Sequence, residues 1–352
     1  MSETTVDFAI LGSTPQARLL AGLLASEHGR KVALAAETEA AYRLPRGLDL
    51  SAGAITRPES WALLAGLVPE TVKLLSRIGG RSAWSRTDPI VFADLAAAAE
   101  AVSHVRHMAS AFGLAAERVP ADLIGPGRSA IYLRDCVVLH RSPLEAALDA
   151  WLDRLGVVRL TGAASILPDG SASAPAGETH CRIAQVVLAD DTALLRHLPA
   201  DAWPSLLVRE VGNTLLLEPT APMAGVVMHQ LDSGLTLYRQ PHGGLIALGP
   251  GSADDFASRL VALLGRERAP RLAGRAQYVS VTTADGAPAV GRLNGTGADI
   301  LAGFGVTGAF FAPAIARWLC GRASAAENDW FKDRLVERGT TASVVTEFRG
   351  AA

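Results

Sequence analysis

The chain has 352 residues, of which 49% are hydrophobic and 19% charged, and its formal net charge is −2. This composition is typical of a globular protein with a large buried core, and it offers neither a basic surface for nucleic acid nor a polybasic patch for a membrane. The three cysteines are few, odd in number and far apart, which favours reduced thiols in a cytoplasmic compartment over a disulfide framework.

The N-terminal elements predict a βαβ unit of a parallel sheet. The first residues lack the basic and apolar regions of a signal peptide, and no stretch of the chain reaches the ~18 apolar residues of a membrane span. An apolar run over 7–11 ends at Gly12, a helix begins near Pro15, and a second apolar run covers 31–35. Strand, tight turn, helix and strand in this order are the elements of a nucleotide-binding fold.

The rest of the chain alternates helices and strands before a β-rich region. Helices are predicted over 70–78, 94–112, 142–155, 254–264 and 310–320. Strands are predicted over 136–140, 156–160, 183–189 and 299–302, and short β segments with glycine turns fill 205–248. This order indicates a nucleotide-type domain in separate pieces, with a mostly β lobe inserted between them.

The turn after the first strand is a candidate dinucleotide-binding site. Such folds carry G-x-G-x-x-G, where glycines allow a tight turn and close approach of the pyrophosphate to the helix N-terminus. Here the turn reads Gly12, Ser13, Thr14, Pro15, Gln16 and Ala17. Gly12 is retained and Ala17 is a common replacement, whereas Thr14 places a branched side chain in the path of the pyrophosphate. A βαβ turn that binds nothing is an equally good interpretation.

A ribose-binding acid is expected at the end of the second strand. The position in register is Ala36, and Glu37 follows one residue later. Glu37 either reaches the ribose after a small shift of the strand end or is a solvated surface residue.

Two segments near the C-terminus carry the most specific pattern. Residues 283–291 read TADGAPAVG, and residues 303–313 read GFGVTGAFFAP after a short apolar strand. The pair resembles the closing signature of the FAD-dependent superfamily of D-amino-acid oxidase, glycine oxidase and sarcosine oxidase. In that family T-x-D-x-x-P-x-[IV]-G precedes a strand, and G-x-G-x-x-G opens the last helix beside the flavin.

The resemblance extends over nearly the whole chain. Residues 50–53, including Gly53, resemble the segment over the flavin face, and 141–145, 186–189 and 234–249 resemble further family segments. It implies an α/β (α+β two-lobed) fold with a Rossmann-like FAD-binding domain of 1–80, 136–204 and 275–352. An antiparallel β-sheet substrate domain of 81–135 and 205–274 is inserted in it.

The resemblance also implies cofactor contacts. FAD would be held at the first turn, at Glu37 and Gly53, and at the last turn. The residues of the last turn are Gly303, Phe304, Gly305, Val306, Thr307 and Gly308. The position of the flavin-linking cysteine of sarcosine oxidases is Tyr278 here, so the FAD would be non-covalent.

Three further positions depart from the family pattern. Asp190 and Asp191 stand where members usually have a small residue and glycine, and a carboxylate there opposes cofactor binding unless it turns away. Ser280 stands where amino-acid-oxidising members carry the arginine that clamps the substrate carboxylate.

Substrate contacts are predicted on the β lobe at Tyr238, Arg239 and His242, with an ordinary strand and turn as the alternative. His140 and Arg141 end a strand and are interpreted as structural. No histidine spacing fits a metal site, so no metal is predicted.

Two functions follow. The first is an FAD-dependent oxidoreductase that oxidises a C–N bond of an amine or amino-acid-like substrate by hydride transfer to flavin, with or without a related flavoprotein partner subunit. The second is a degenerate paralogue that does not bind FAD and serves such a complex as a structural or regulatory subunit. A Rossmann-like protein for another nucleotide is a third, weaker interpretation.

Overall fold

The fold is built from two eight-stranded sheets with helices packed on and between them. A computed structural model describes residues 3–37, 43–218, 223–240, 243–265, 271–293, 297–339, 345–346 and 350–351. Its helices are α1 (Pro15–Ser26), α2 (Pro58–Ile78), α3 (Ala96–Ala111), α4 (Ala121–Ile124), α5 (Arg141–Arg154), α6 (Asp191–His197), α7 (Ala253–Leu264), α8 (Gly308–Leu319) and α9 (Ala325–Lys332).

The strands lie along the whole chain, singly or in runs of up to four between helices. They are β1 (Glu3–Leu11), β2 (Val32–Ala35), β3 (Trp84–Thr87), β4 (Ile90–Ala93), β5 (Ala116–Arg118), β6 (Ser129–Leu133), β7 (Cys136–Leu139), β8 (Val158–Arg159), β9 (Ser165–Ile166), β10 (Ala172–Ala176), β11 (Thr179–Leu188), β12 (Leu207–Leu217), β13 (Val227–Gln230), β14 (Leu235–Arg239), β15 (Leu245–Pro250), β16 (Leu272–Thr283), β17 (Ala289–Arg292), β18 (Asp299–Ala302), β19 (Val345–Thr346) and β20 (Gly350–Ala351).

The first sheet has the order β17-β18-β11-β1-β2-β8, and β10 and β9 extend it from β11. Strands β18, β11, β1, β2 and β8 are parallel to one another, whereas β17 and β10 pair antiparallel with β18 and β11. Their central residues are apolar and buried, because helices cover both faces of such a sheet. The chain leaves β1 toward β2 on one side, whereas β11 lies on the other. The carboxyl end of β1 is therefore the point where open α/β sheets bind ligands.

The second sheet has the order β16-β12-β15-β14-β13-β4-β6-β5. All its pairs are antiparallel except β13 with β4. The predicted fold class, a Rossmann-like domain with an inserted antiparallel sheet, is confirmed. The exact domain boundaries stay a prediction.

Helix α2 is longer than the sequence pattern predicts. It begins at Pro58 rather than near Glu70 and continues through Pro69. Proline inside a helix removes one backbone hydrogen bond, which is why the pattern predicts a later start. Tertiary packing outweighs that loss, since the buried side chains of Trp61, Leu64 and Leu75 lie on both sides of Pro69.

Helix α1 lies at the centre of the molecule. All its residues from Pro15 to Leu24 are buried, and it packs against α8 on one side and α5 on the other. Gly22 allows the close approach of α5, because a methyl group there would overlap the ring of Trp151. Among the helices within the described ranges, none has the combination of length and apolar character needed to cross a membrane.

We expect Gly22→Ala to destabilise the fold by about 1–2 kcal/mol, since overpacking outweighs the roughly 1 kcal/mol gain in helix propensity. Gly66→Ala is the matched control, because it lies in α2 with nothing within 4 Å of an added methyl group. That change should stabilise the chain by about 0.5–1 kcal/mol. Urea denaturation of both variants measures the difference, and equal stabilisation by the two would contradict this packing.

Candidate functional site

A cavity of about 600 Å³ opens at the carboxyl end of β1 and extends to the second sheet. Ser13 and Thr14 line one end, and Tyr238 and Ile246 line the other. A second cavity of about 370 Å³ adjoins it and shares His140 and Tyr238 in its lining. A deep crevice between two sheets at this position is the expected place for a ligand.

The glycine turn between β1 and α1 is closed by the chain's own side chains. The Ser13 N–H donates to Asp190 Oδ2 at 2.5 Å, and the Ala17 N–H donates to Thr14 Oγ1 at 3.3 Å. A methyl group on Gly12 would lie 3.0 Å from Asp190 Oδ2 and 3.1 Å from Ala17 Cβ. Since Pro15 has no N–H, the donors left at this helix start are few.

Asp190 is held at the turn from two directions. While Oδ2 accepts from Ser13, Oδ1 accepts from the Ala193 N–H at 2.9 Å and caps α6. Both carboxylate oxygens are thus engaged at the point where a dinucleotide fold places its phosphates. Of Asp190 and Asp191, the two carboxylates predicted to oppose cofactor binding, Asp190 is therefore the one that chiefly does so.

Arg18 is a buried cation beneath the same turn, with 2% of its surface exposed. Its guanidinium pairs with Glu145 at 3.3 Å and Asp149 at 3.2 Å. It also donates to the Ser13 carbonyl and, at 3.0 Å, to the Glu37 carbonyl. Two carboxylates balance this charge, so Arg18 ties α1, α5 and the end of β2 together rather than offering charge to a phosphate.

The predicted ribose contact at Glu37 is also engaged elsewhere. Its carboxylate lies 3.3 Å from Arg43 and 3.7 Å from Arg196, and half of the side chain is exposed. The residue in register is Ala36, which has no polar side chain. This pairing describes a surface ion-pair cluster.

The C-terminal glycine turn keeps the shape that its sequence predicts. Gly303 and Gly305 have φ values of 71° and 53°, which favour glycine, and α8 begins at Gly308. The Leu50 N–H donates to the Val306 carbonyl at 2.8 Å, and Gly53 lies against the Val306 side chain. The structure thus brings the segment around Gly53 and the last turn together, as the resemblance implies.

Gln16 lies where the two glycine turns meet. Its side chain contacts Gly308 closely enough that a methyl group there would overlap Gln16 Oε1. Gln16 Nε2 is buried and has no hydrogen-bond partner within the described part of the chain. An unpaired buried amide costs about 1–3 kcal/mol, so this donor is the one feature here that favours an absent ligand.

The T-x-D segment before β17 has a structural role. Thr283 Oγ1 donates to the Ala287 carbonyl at 2.7 Å, and the Asp285 carboxylate accepts two bonds of 2.8 Å from Arg338. Arg338 holds the pKa of Asp285 below its usual range through this hydrogen-bonded pair, against the opposing effect of burial. These contacts fix the turn without any cofactor.

The predicted substrate residues fall in different places. Tyr238 lines both cavities, whereas Arg239 is exposed and lines only the smaller one. The third, His242, lies outside the described residues. In the described ranges, no three His, Cys, Asp or Glu side chains are grouped as a metal site.

Sequence reasoning missed the partners that surround this cavity. Arg18 carried a visible signal, because it is the one charged residue in an otherwise mostly apolar helix. The pairing of Arg141 with Asp49 at 3.2 Å joins residues 92 positions apart and left no local signal.

Comparisons with known proteins show the fold. L-proline dehydrogenase from P. horikoshii aligns with a TM-score of 0.72 at 14% identity, over 94% of this chain and 97% of its own. Glycine oxidase from Bacillus cereus ATCC 14579 aligns with a TM-score of 0.68 at 15% identity, over 96% and 99%. L-amino acid deaminase from Proteus vulgaris aligns with a TM-score of 0.68 at 12% identity, over 96% and 97%.

No protein-family model and no curated protein matches the sequence. The chain has the fold of these amino-acid oxidases and dehydrogenases. The resemblance implies FAD. The residues present fit this cofactor at the flavin end of the site but not at the pyrophosphate end. Gln16 and the last glycine turn suit a flavin, but the first turn, closed by Asp190 and Thr14, does not fit a pyrophosphate.

Asp191 supplies a pH prediction. Burial, with the neighbouring charge of Asp190, raises the pKa of Asp191 from 3.8 to about 7, against a hydrogen bond from the Val281 backbone. The folded chain therefore keeps this proton up to about pH 7 while the unfolded chain releases it near 3.8, so stability falls as the pH rises through this range.

We expect Asp191→Asn to match the wild type near pH 4 and to exceed its stability at pH 8 by on the order of 3 kcal/mol. Thermal unfolding across this pH range measures the difference, with the exposed Asp201→Asn as the control. A constant offset between Asp191→Asn and the wild type at every pH would contradict the assigned pKa.

Proposed function

We propose that this chain is the member of an amine or amino-acid oxidoreductase system that does not bind FAD, acting as a structural or regulatory subunit. The observation that supports this proposal is the 2.5 Å hydrogen bond from the Ser13 N–H to Asp190 Oδ2. It places a carboxylate on the donor that a diphosphate would need.

Electrostatic repulsion adds to this competition for the Ser13 N–H. Two like charges about 4 Å apart repel by roughly 4 kcal/mol at an effective dielectric constant of 20, and a pyrophosphate carries two negative charges. Arg18 provides little compensation, because Glu145 and Asp149 already neutralise it. Each kilocalorie lost from cofactor binding lowers affinity about fivefold, so a repulsion of this size would lower FAD affinity by several orders of magnitude.

Other polar side chains that the resemblance predicts for cofactor and substrate binding are also absent. Ala36 replaces the ribose-binding acid, and Ser280 replaces the substrate-clamping arginine. Ser280 Oγ donates to the Glu210 carbonyl at 3.2 Å and is part of the β12–β16 pairing. Cofactor and substrate contacts are thus replaced together, while the fold is retained.

A second candidate is FAD-dependent oxidation of a C–N bond by this chain itself. The buried Gln16 Nε2 beside Gly308, which has no partner among the described residues, favours it. The fold shared with L-proline dehydrogenase and glycine oxidase also favours it. A non-covalent flavin would supply the redox chemistry, and Tyr238 would face an amine substrate in the cavity. In this case Asp190 would have to leave the Ser13 N–H.

The visible absorption spectrum of the purified chain separates the two candidates. We expect a colourless protein that stays colourless after incubation with excess FAD and gel filtration. Acid precipitation of the same sample should release no flavin. Flavin bands that move to the supernatant on precipitation would overturn the proposal in favour of the second candidate.

We expect Asp190→Asn to increase FAD affinity at least tenfold, because it removes the charge and keeps an oxygen that can cap α6. Flavin fluorescence titration at pH 6 measures the affinity. Asp191→Asn is the matched control, since this neighbouring carboxyl has a pKa of about 7 and is mostly neutral at that pH. Equal FAD binding by the wild type and Asp190→Asn would rule out Asp190 as the barrier.

A further inference from the structure

One wall of the larger cavity carries an arginine with unused hydrogen-bonding capacity. Arg141 donates from Nε to Asp49 Oδ2 at 3.2 Å, and its two terminal amino groups have no partner among the described residues. The Arg141 side chain is 28% exposed, whereas that of Asp49 is 10% exposed. Asp49 is therefore buried in this ion pair, whereas the terminal amino groups of Arg141 are accessible from the cavity.

The other cations at the cavity are already engaged. Arg18 pairs with Glu145 and Asp149, and Arg43 pairs with Glu37. Arg141 is therefore the lining cation that retains free donors among the described residues. A planar guanidinium with open terminal groups matches the two oxygens of a carboxylate.

The two carboxylates in the cavity lining, Asp49 and Glu145, are paired with Arg141 and Arg18, and the other polar groups beside Arg141 are neutral. His140 Nε2 lies 2.9 Å from Ser85 Oγ, and burial lowers the pKa of His140, which favours its neutral form. Burial raises the pKa of Tyr238, so its phenol stays a neutral donor. Both residues line the cavity with Arg141.

Much of the remaining cavity lining is apolar. The hydrocarbon lining comes from the segment before α2, from β7 and from the second sheet. Its members are Leu44, Leu48, Leu139, Leu216, Ile246 and Leu248. A volume of about 600 Å³ with an apolar lining and a few converging polar groups is typical of a small-molecule site.

We infer that this cavity binds a small monocarboxylate with an apolar body, whose carboxylate is held by Arg141. The inference goes beyond the proposed function and does not depend on it, because none of these contacts involves a flavin. Arg141, interpreted from the sequence as structural, is then the residue that determines the charge of the ligand.

Isothermal titration calorimetry with three probes of one body length tests this inference on the full chain. The probes are hexanoate, hexanamide and hexylamine, which differ only in the head group. We expect hexanoate to bind with a Kd on the order of 1 mM, the range for a ligand of this size. The amide and the amine should bind at least tenfold more weakly, since neither can accept the bidentate bond.

Variants identify the residue responsible. Arg141→Gln should weaken hexanoate binding at least tenfold, and Asp49→Asn should strengthen it, because it removes the competing carboxylate. Arg141→Gln leaves Asp49 buried without its partner, so the double variant Arg141→Gln/Asp49→Asn provides the same loss in a chain with no unpaired buried charge. Arg43→Gln is the matched control and should change the Kd by no more than about twofold, because its charge is already paired.

Three results would overturn the inference. They are equal binding of the three probes, no heat of binding for hexanoate up to about 10 mM, or unchanged hexanoate binding in the double variant. An FAD titration of the same preparation tests the proposed function separately, because carboxylate binding and flavin binding are measured independently.

Discussion

The hydrogen bond from the Ser13 N–H to Asp190 organises the site. It joins the turn after β1 to the start of α6. This is the point where the strand order of the parallel sheet reverses, with β2 on one side of β1 and β11 on the other. Because one carboxylate oxygen caps α6 and the other accepts from the Ser13 N–H, that N–H is already engaged at the end of the crevice where such folds bind a ligand's phosphates. The remaining space runs from this turn to the second sheet and is lined by Arg141, Tyr238 and a wall of leucines.

The shape of the last turn has a physical explanation that does not need a cofactor. Thr283 and Asp285 stabilise their own turn through Ala287 and Arg338, and Gly303 has a positive φ that the backbone path requires. These constraints act on the fold itself, so a chain that lost FAD would still retain them. The contacts of the last turn are therefore explained by the fold alone, whereas the contacts of the first turn bear directly on whether a phosphate can bind.

The sequence predicted the architecture well because its signals are local. The apolar runs of β1 and β2, the helix start at Pro15 and the glycines at 303–308 each depend on neighbouring residues. The site was harder, since its key pairs join distant positions such as Ser13 with Asp190 and Asp49 with Arg141. The sequence raised the possibility that Asp190 turns outward. Its direction follows from the α6 cap and the sheet order, which only the folded chain defines.

A crystal structure of the chain grown with millimolar FAD tests the central claim most directly. The account predicts that Asp190 Oδ2 remains bonded to the Ser13 N–H, with no diphosphate density at the turn. A pyrophosphate on the Ser13 and Thr14 backbone, with the Asp190 side chain rotated away, would contradict it and establish this chain as a flavoprotein.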